Sequence, residues 1–148
     1  MDGDFDGSEL DFWLGIWSVS WRDGGHGTNE LTRILGNKVI DEHFRGASPR
    51  GTLEGRSWSV YDPDRRLWRQ TWVDDSGSYL DLVGERVDGW FAFGRAAPEL
   101  GDRGRQRMVF RDVAPDAFRW TWEASLDHGT TWETRWEIAY RRATSGAD

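Results

Sequence analysis

From Trp17 onward, large apolar side chains recur at every second position in short runs, and most runs stop at glycine, asparagine, aspartate or proline. Alternation of this kind marks strands with one face buried, because successive strand side chains point to opposite sides. Ten segments show it: 16–22, 28–36, 38–46, 53–62, 67–74, 78–86, 90–96, 105–113, 118–127 and 130–142. Turn chemistry separates them at Gly36-Asn37, 62–66, 75–77, Val87-Asp88-Gly89, the loop 97–104, and a two-residue hairpin turn at His128-Gly129. No helical pattern of about 10–15 residues intervenes, which argues against a parallel α/β sheet. Hairpin after hairpin, without long crossovers, predicts an all-β fold: an antiparallel up-and-down barrel of about ten strands, whose closure removes exposed edges.

Before the barrel a short N-terminal helix is expected over 9–14. Ser8 and Asp11 have capping-box spacing, Leu10, Trp13 and Leu14 follow at helical spacing, and Gly15 offers a stop. The expected layout is a flexible N-terminus over 1–8, a single barrel domain over 9–142 and a flexible tail over 143–148. The chain's 148 residues suit one core. Its apolar content is 37%, and eleven tryptophans, each able to bury on the order of 200 Å², make up for that modest share.

A net charge of −7 disfavours nucleic-acid binding, which depends on basic surface. There is no cysteine, so disulfides and thiolate chemistry are excluded. The opening MDGDFDGSEL is acidic and has no apolar run. It reads as neither a signal peptide nor a membrane span, and a cytoplasmic protein is expected.

Sorting each strand by parity predicts what faces inward. Phe118, Trp120, Trp122, Ala124 and Leu126 share one face; Trp132, Thr134, Trp136, Ile138 and Tyr140 share another; Met108 and Phe110 oppose Arg107 and Arg111. The middle strands carry polar residues in with the apolar ones. Leu31 and Leu35 bring Arg33, Ile40 and Phe44 bring Glu42, Trp58 and Val60 bring Arg56, and Trp68 and Trp72 bring Gln70. Buried charges need partners or solvent. Either these residues pair with one another, or they line a cavity, or a bulge shifts the register and returns them to water. The cavity reading gives a pocket walled by Trp58, Trp72, Trp120 and Trp136, with Arg33, Glu42, Arg56 and Gln70 at its polar end. It suits an amphipathic or aromatic ligand bearing an acidic group, since arginine binds carboxylates in a bidentate manner.

Gly15-Ile16-Trp17 resembles the Gly-x-Trp signature of calycin barrels, the group of lipocalins and fatty-acid-binding proteins. The longer stretch EGRSWSVYDPDRRLWRQTWVDDSGSYLDLVGE (54–85) resembles the lipocalin-like family DUF1579, and the resemblance covers about residues 10–142. It implies a ten-stranded calycin-like barrel and little about chemistry. It also implies that Trp17 plugs the barrel bottom against an arginine of the last strand. Arg141 is the expected partner, although the pair Arg141-Arg142 leaves the choice open.

Other chemistries find little support. His26 lies in a Gly-rich loop, His128 in a turn, and His43 on the outer face with Asp41 and Arg45, so neither a metal nor a haem cofactor is expected. No Gly-x-Ser-x-Gly turn is present, and Ser57 and Ser59 read as an outer face. GDRGR (101–105) lacks the Lys-Ser/Thr ending of a phosphate loop. Asp62, Asp64, Asp74 and Asp75 fall at turns, where aspartates cap their own backbone rather than bind calcium. SLDHGTTW (125–132) resembles a sialidase Asp-box but reads as a hairpin with Trp132 continuing the inward set.

Three functions fit. The first is a non-catalytic barrel binding a small hydrophobic or amphipathic molecule, with no nucleic-acid or membrane partner. The second is a small isomerase or cyclase using Glu42 as acid or base, with Arg33 or Arg56 polarising a carbonyl. The third is a solidly packed barrel acting as a homodimeric interaction protein.

Overall fold

The structure, a computed structural model, describes residues 4–143. Ten strands follow one another: β1 (Gly15–Trp21), β2 (Gly25–Ile34), β3 (Val39–Ser48), β4 (Gly51–Asp62), β5 (Leu67–Asp74), β6 (Tyr79–Val87), β7 (Trp90–Ala96), β8 (Arg105–Ala114), β9 (Ala117–Ser125) and β10 (Glu133–Arg142). Each pairs antiparallel with its sequence neighbours, and β1 pairs with β10 to close the barrel. Among the described residues no helix is long and apolar enough to cross a membrane.

The short helix expected over 9–14 is absent. In its place is a three-residue 3-10 turn, Asp11–Trp13. The side chains meant to cap a helix are used elsewhere: Asp11 accepts from Arg33 Nη2 at 2.6 Å, and Ser8 donates to Asp6. Gly15 does not stop a helix but begins β1, with φ +122°.

The described part of the N-terminal arm, 4–8, packs onto the barrel. Phe5 is buried against Phe91, with ring centroids 5.3 Å apart. Its carbonyl accepts from Tyr61 Oη and Arg66 Nε, and its amide donates to the Arg66 carbonyl. Residues 1–3 and 144–148, the rest of the expected flexible ends, lie outside the described residues, and Ala143 donates its amide to the Ile16 carbonyl.

The two ends of the barrel are filled differently. At the end nearest Trp17 the interior is solid: Leu10, Trp13, Trp17, Phe110 and Phe118 are buried together, and Phe118 stacks on Tyr140 with centroids 4.3 Å apart. Edge-to-face contacts from Trp17 to Phe118 (4.9 Å) and from Trp13 to Phe110 (5.1 Å) fit ring quadrupoles together.

The plug has a lid, Arg142 rather than Arg141. The cross-strand register places Trp17 opposite Arg142, whose guanidinium lies 4.2 Å from the Trp17 ring, while Arg141 is exposed opposite Ser18. Arg142 also donates to the carbonyls of Leu14 (2.8 Å), Phe12 (3.1 Å) and Pro115 (3.1 Å). A Cβ at Gly15 would sit 2.6 Å from Arg142 Nη1, so the glycine of Gly-x-Trp makes room for that guanidinium.

Inward parity holds for β3, β5 and β8, and for most of β9 and β10. It inverts on β4. Gly55, Ser57 and Ser59 face in, and Arg56, Trp58 and Val60 face out. The reason is the size of the neighbours. Phe44, Glu42 and Ile40 of β3 lie on one side and Trp72 and Gln70 of β5 on the other, opposite these small residues. A Cβ at Gly55 would meet the Trp72 ring at 2.2 Å. Ser57 and Ser59, expected outside, are therefore buried.

Further expectations fail at strand ends. Leu35 begins the β2–β3 turn with φ +53° and is 74% exposed. The two-residue turn at His128-Gly129 is instead the centre of a loop spanning 126–132, which leaves Leu126 exposed. A register shift between Thr134 and Trp136 turns Thr134 to the Glu123 face, the outside. Trp132 lies outside too, under the Arg107 guanidinium at 3.8 Å. Asp127 organises this loop by accepting from Thr131 and Ser125, bonds that hold its carboxyl down at about 2.

Candidate functional site

Beyond the aromatic plug the barrel is hollow. A cavity of about 340 Å³ opens at the Trp21 end, within the range of small-molecule sites. Four tryptophans line it: Trp72 from β5, Trp120 and Trp122 from β9, and Trp136 from β10. Phe44, Leu53, Leu80, Met108 and Ile138 complete the apolar wall. The indoles are held by their neighbours. Trp136 meets Trp120 edge-on at 5.6 Å and Trp21 at 5.2 Å, and Trp72 donates its Nε1 to Asp74 at 2.9 Å. These bonds fix the ring directions and leave a stiff aromatic box.

The floor is polar. Glu42 is 5% exposed, and its carboxyl accepts from Asn29 Nδ2 (2.7 Å) and Ser57 Oγ (2.6 Å). Asn29 donates its other proton to Tyr140 Oη (2.9 Å), and Asn29 Oδ1 has no hydrogen-bond partner. A tyrosine hydroxyl that accepts this bond keeps its own proton to donate. Both Glu42 and Tyr140 reach the cavity surface.

Burial pushes the Glu42 carboxyl above its ordinary range; the Ser57 and Asn29 bonds oppose that shift, and the Asp41 charge adds to it. Burial likewise raises the Tyr140 hydroxyl, with the Glu42 charge second. The rim is acidic as well. Asp74 is partly desolvated, but Ser76, Trp72 and backbone amides hold its carboxyl below the usual value. Glu99 is held low by its hydrogen bonds with Arg95 (2.8 Å).

Of the residues expected at the pocket, Glu42, Trp72, Trp120 and Trp136 meet at the cavity. Gln70 is inside but deeper, donating to Ser59 Oγ at 2.9 Å. Three stand elsewhere. Arg33 is drawn to the closed end by Asp11. Arg56 lies on the outer face and pairs with Asp41 at 2.9 Å. Trp58 is 55% exposed and donates its indole N–H to the same Asp41 at 3.0 Å.

Trp58→Ser therefore removes a surface ring. Urea unfolding is expected to show a loss of about 1 kcal/mol or less, against the roughly 3–5 kcal/mol of a core tryptophan.

Asn29, Ser57, Asp74 and Glu99 were not anticipated. Asn29 shares the inward parity of Leu31, so the alternation of β2 already contained it. Ser57 was hidden by the inversion of β4. Asp62 and Asp74 do accept backbone amides at their turns. Among the described residues no group of three His, Cys, Asp or Glu side chains is placed to hold a metal.

No protein-family model matches this chain, and no curated protein does. Solved structures do. A de novo designed fluorescence-activating β-barrel aligns with 91% of this chain and 98% of its own, at 16% identity and a TM-score of 0.48. The S-type phycobiliprotein lyase CPES from Guillardia theta aligns over 92% of this chain and 91% of its own, at 14% identity and a TM-score of 0.58. The likeness to the lyase is one of barrel fold.

Proposed function

We propose that this chain is a lipocalin-like binding protein of the calycin type, akin to DUF1579, that takes one small aromatic or amphipathic molecule into the open half of its barrel. The observation that carries the reading is the division of the interior. A solid aromatic plug occupies one end, and a hollow of about 340 Å³ with four tryptophan walls and a polar floor occupies the other. A barrel meant only as a scaffold for contacts would gain stability by filling that space. The open half therefore supports ligand binding over the solidly packed interaction protein.

Binding is also favoured over acid–base catalysis. The arginines expected to polarise a carbonyl beside Glu42 are outside the cavity, which leaves that carboxyl without an electrophilic partner. Apolar walls supply affinity, and Glu42 and Tyr140 supply an acceptor and a donor that orient the ligand.

The test is a titration followed by indole fluorescence, with phenylbutanol as the neutral probe. A saturable change is expected, because the indoles that report it form the wall. Leu53→Trp narrows the cavity from its lining and should weaken binding by about tenfold or more while leaving the fold intact, since the larger ring intrudes on the wall that the probe must occupy. Absence of a response to neutral, cationic and acidic phenylbutyl probes alike would remove the proposal.

A further inference from the structure

The charges around the cavity have one sign. Glu42 stands at the floor, Asp74 and Glu99 at the rim, and among the described residues no lysine, arginine or histidine lines the space. Glu99 has its cation in Arg95, and Asp74 is satisfied by Trp72 and Ser76. Glu42 differs from both. Its partners are neutral donors, Asn29 and Ser57, and among the described residues no salt bridge reaches it. The groups packed around it do not change this: β2 contributes Asn29, β4 Ser57, β10 the Tyr140 hydroxyl, and Asp41 on its own strand is a second negative charge. Indole faces carry negative potential and attract cations, more strongly when desolvated.

We infer that the cavity selects a positively charged amine on an aromatic or aliphatic body, with the ammonium group set against the Glu42 carboxylate and the body between Trp72, Trp120 and Trp136. This rests on the reading of the cavity as a ligand site and reverses the acidic ligand that the sequence suggested. An ammonium donates to Glu42, completes the missing ion pair, and keeps the tryptophan faces in contact with its carbon atoms. A carboxylate in the same place meets like charge from Glu42 and has no cation to balance it.

The experiment compares phenylbutylamine, phenylbutanol and phenylbutyrate, which share one skeleton, by calorimetry and by indole fluorescence. The amine is expected to bind about tenfold or more tightly than the alcohol, and the butyrate more weakly than either. Its affinity should rise with pH as Glu42 becomes able to ionise. Over the pH range in which the raised Glu42 carboxyl holds its proton, amine binding should release that proton, read from the dependence of the heat on buffer ionisation. The alcohol should release none.

Glu42→Gln should abolish both the amine's advantage over the alcohol and the proton release, because the amide preserves shape but not charge. If the alcohol binds and the amine does no better, or if Glu42→Gln leaves the amine-to-alcohol ratio unchanged, the inference is wrong and the ligand site stands. If none of the three binds, the site and the inference fall together.

Discussion

Arg142→Ala is expected to destabilise the barrel by about 3–5 kcal/mol. The side chain closes the plugged end. It covers the face of Trp17 and donates to the carbonyls of Phe12 and Leu14 in the N-terminal turn and of Pro115 in the distant β8–β9 turn. Hydrogen bonds from a charged donor are worth about 1.5–3 kcal/mol each, and the stacked cation adds about 0.5–2 kcal/mol, with the sum reduced because they share one group.

Arg142→Lys should recover less than half of the loss, since an ammonium is compact and cannot span three acceptors as a planar fork does. Gly15→Ala should cost about 2 kcal/mol by another route, through a backbone at φ +122° and a methyl pressed against the same guanidinium. Arg141→Ala is the control, expected within about 0.5 kcal/mol of the parent because Arg141 is exposed. Urea denaturation of the four variants checks the series. An Arg141→Ala loss equal to that of Arg142→Ala would show that the end is closed in some other way.

The contrast between these adjacent arginines shows where the sequence could be read and where it could not. Alternation marks strands and turns, and ten hairpin-linked strands leave few ways to bury their faces, so the barrel followed. Trp72, Trp120 and Glu42 came out at the cavity because parity is unbroken where they stand, and Trp136 did so because it lies on the regular side of the β10 register shift. Parity failed where a face is chosen by the sizes of neighbours rather than by polarity. On β4 the tryptophan faces water and the serines face in, because Trp72 occupies the space beside Gly55. It failed again on β10, where a register shift between Thr134 and Trp136 put Trp132 outside.

Partnerships between distant segments left no local pattern. Arg33 finds Asp11 across 22 positions, and Phe5 reaches Phe91 from an arm with no period at all. Arg142 rather than Arg141 lies opposite Trp17 because the β1–β10 register says so, and register between the first and last strands cannot be read from either one.

Glu42→Gln is expected to stabilise the ligand-free protein at neutral pH by about 1–3 kcal/mol, and the gain should vanish in acid. The reason lies in the direction of the Glu42 shift. Most native carboxylates that shift are held low, as Glu123 is. Burial works against its ionisation, but Arg111, Arg107 and Thr121 outweigh it. Such a group stabilises the fold at neutral pH and loses that contribution as pH falls through its folded value.

Glu42 does the opposite. Its folded carboxyl is raised above the unfolded value of 4.5 by burial, so the native state holds the proton more tightly than the unfolded chain does. Below 4.5 both states are protonated and Glu42 carries no penalty. As pH rises from 4.5 toward the folded value, the unfolded state gives up its proton first and stability is lost. Above the folded value the loss is complete and constant.

Glutamine keeps the length of the side chain and can exchange hydrogen bonds with Asn29 and Ser57 without a charge to desolvate. The stability difference between variant and parent isolates Glu42 from Glu123 and every other titrating group. It should be near zero below the unfolded value of 4.5 and grow as pH rises through the raised folded value, following the difference in ionisation between the two states. A difference that is flat across this range, or that grows toward acid, would mean that Glu42 is ionised in the empty barrel at little cost. The amine would then have no buried carboxyl proton to displace.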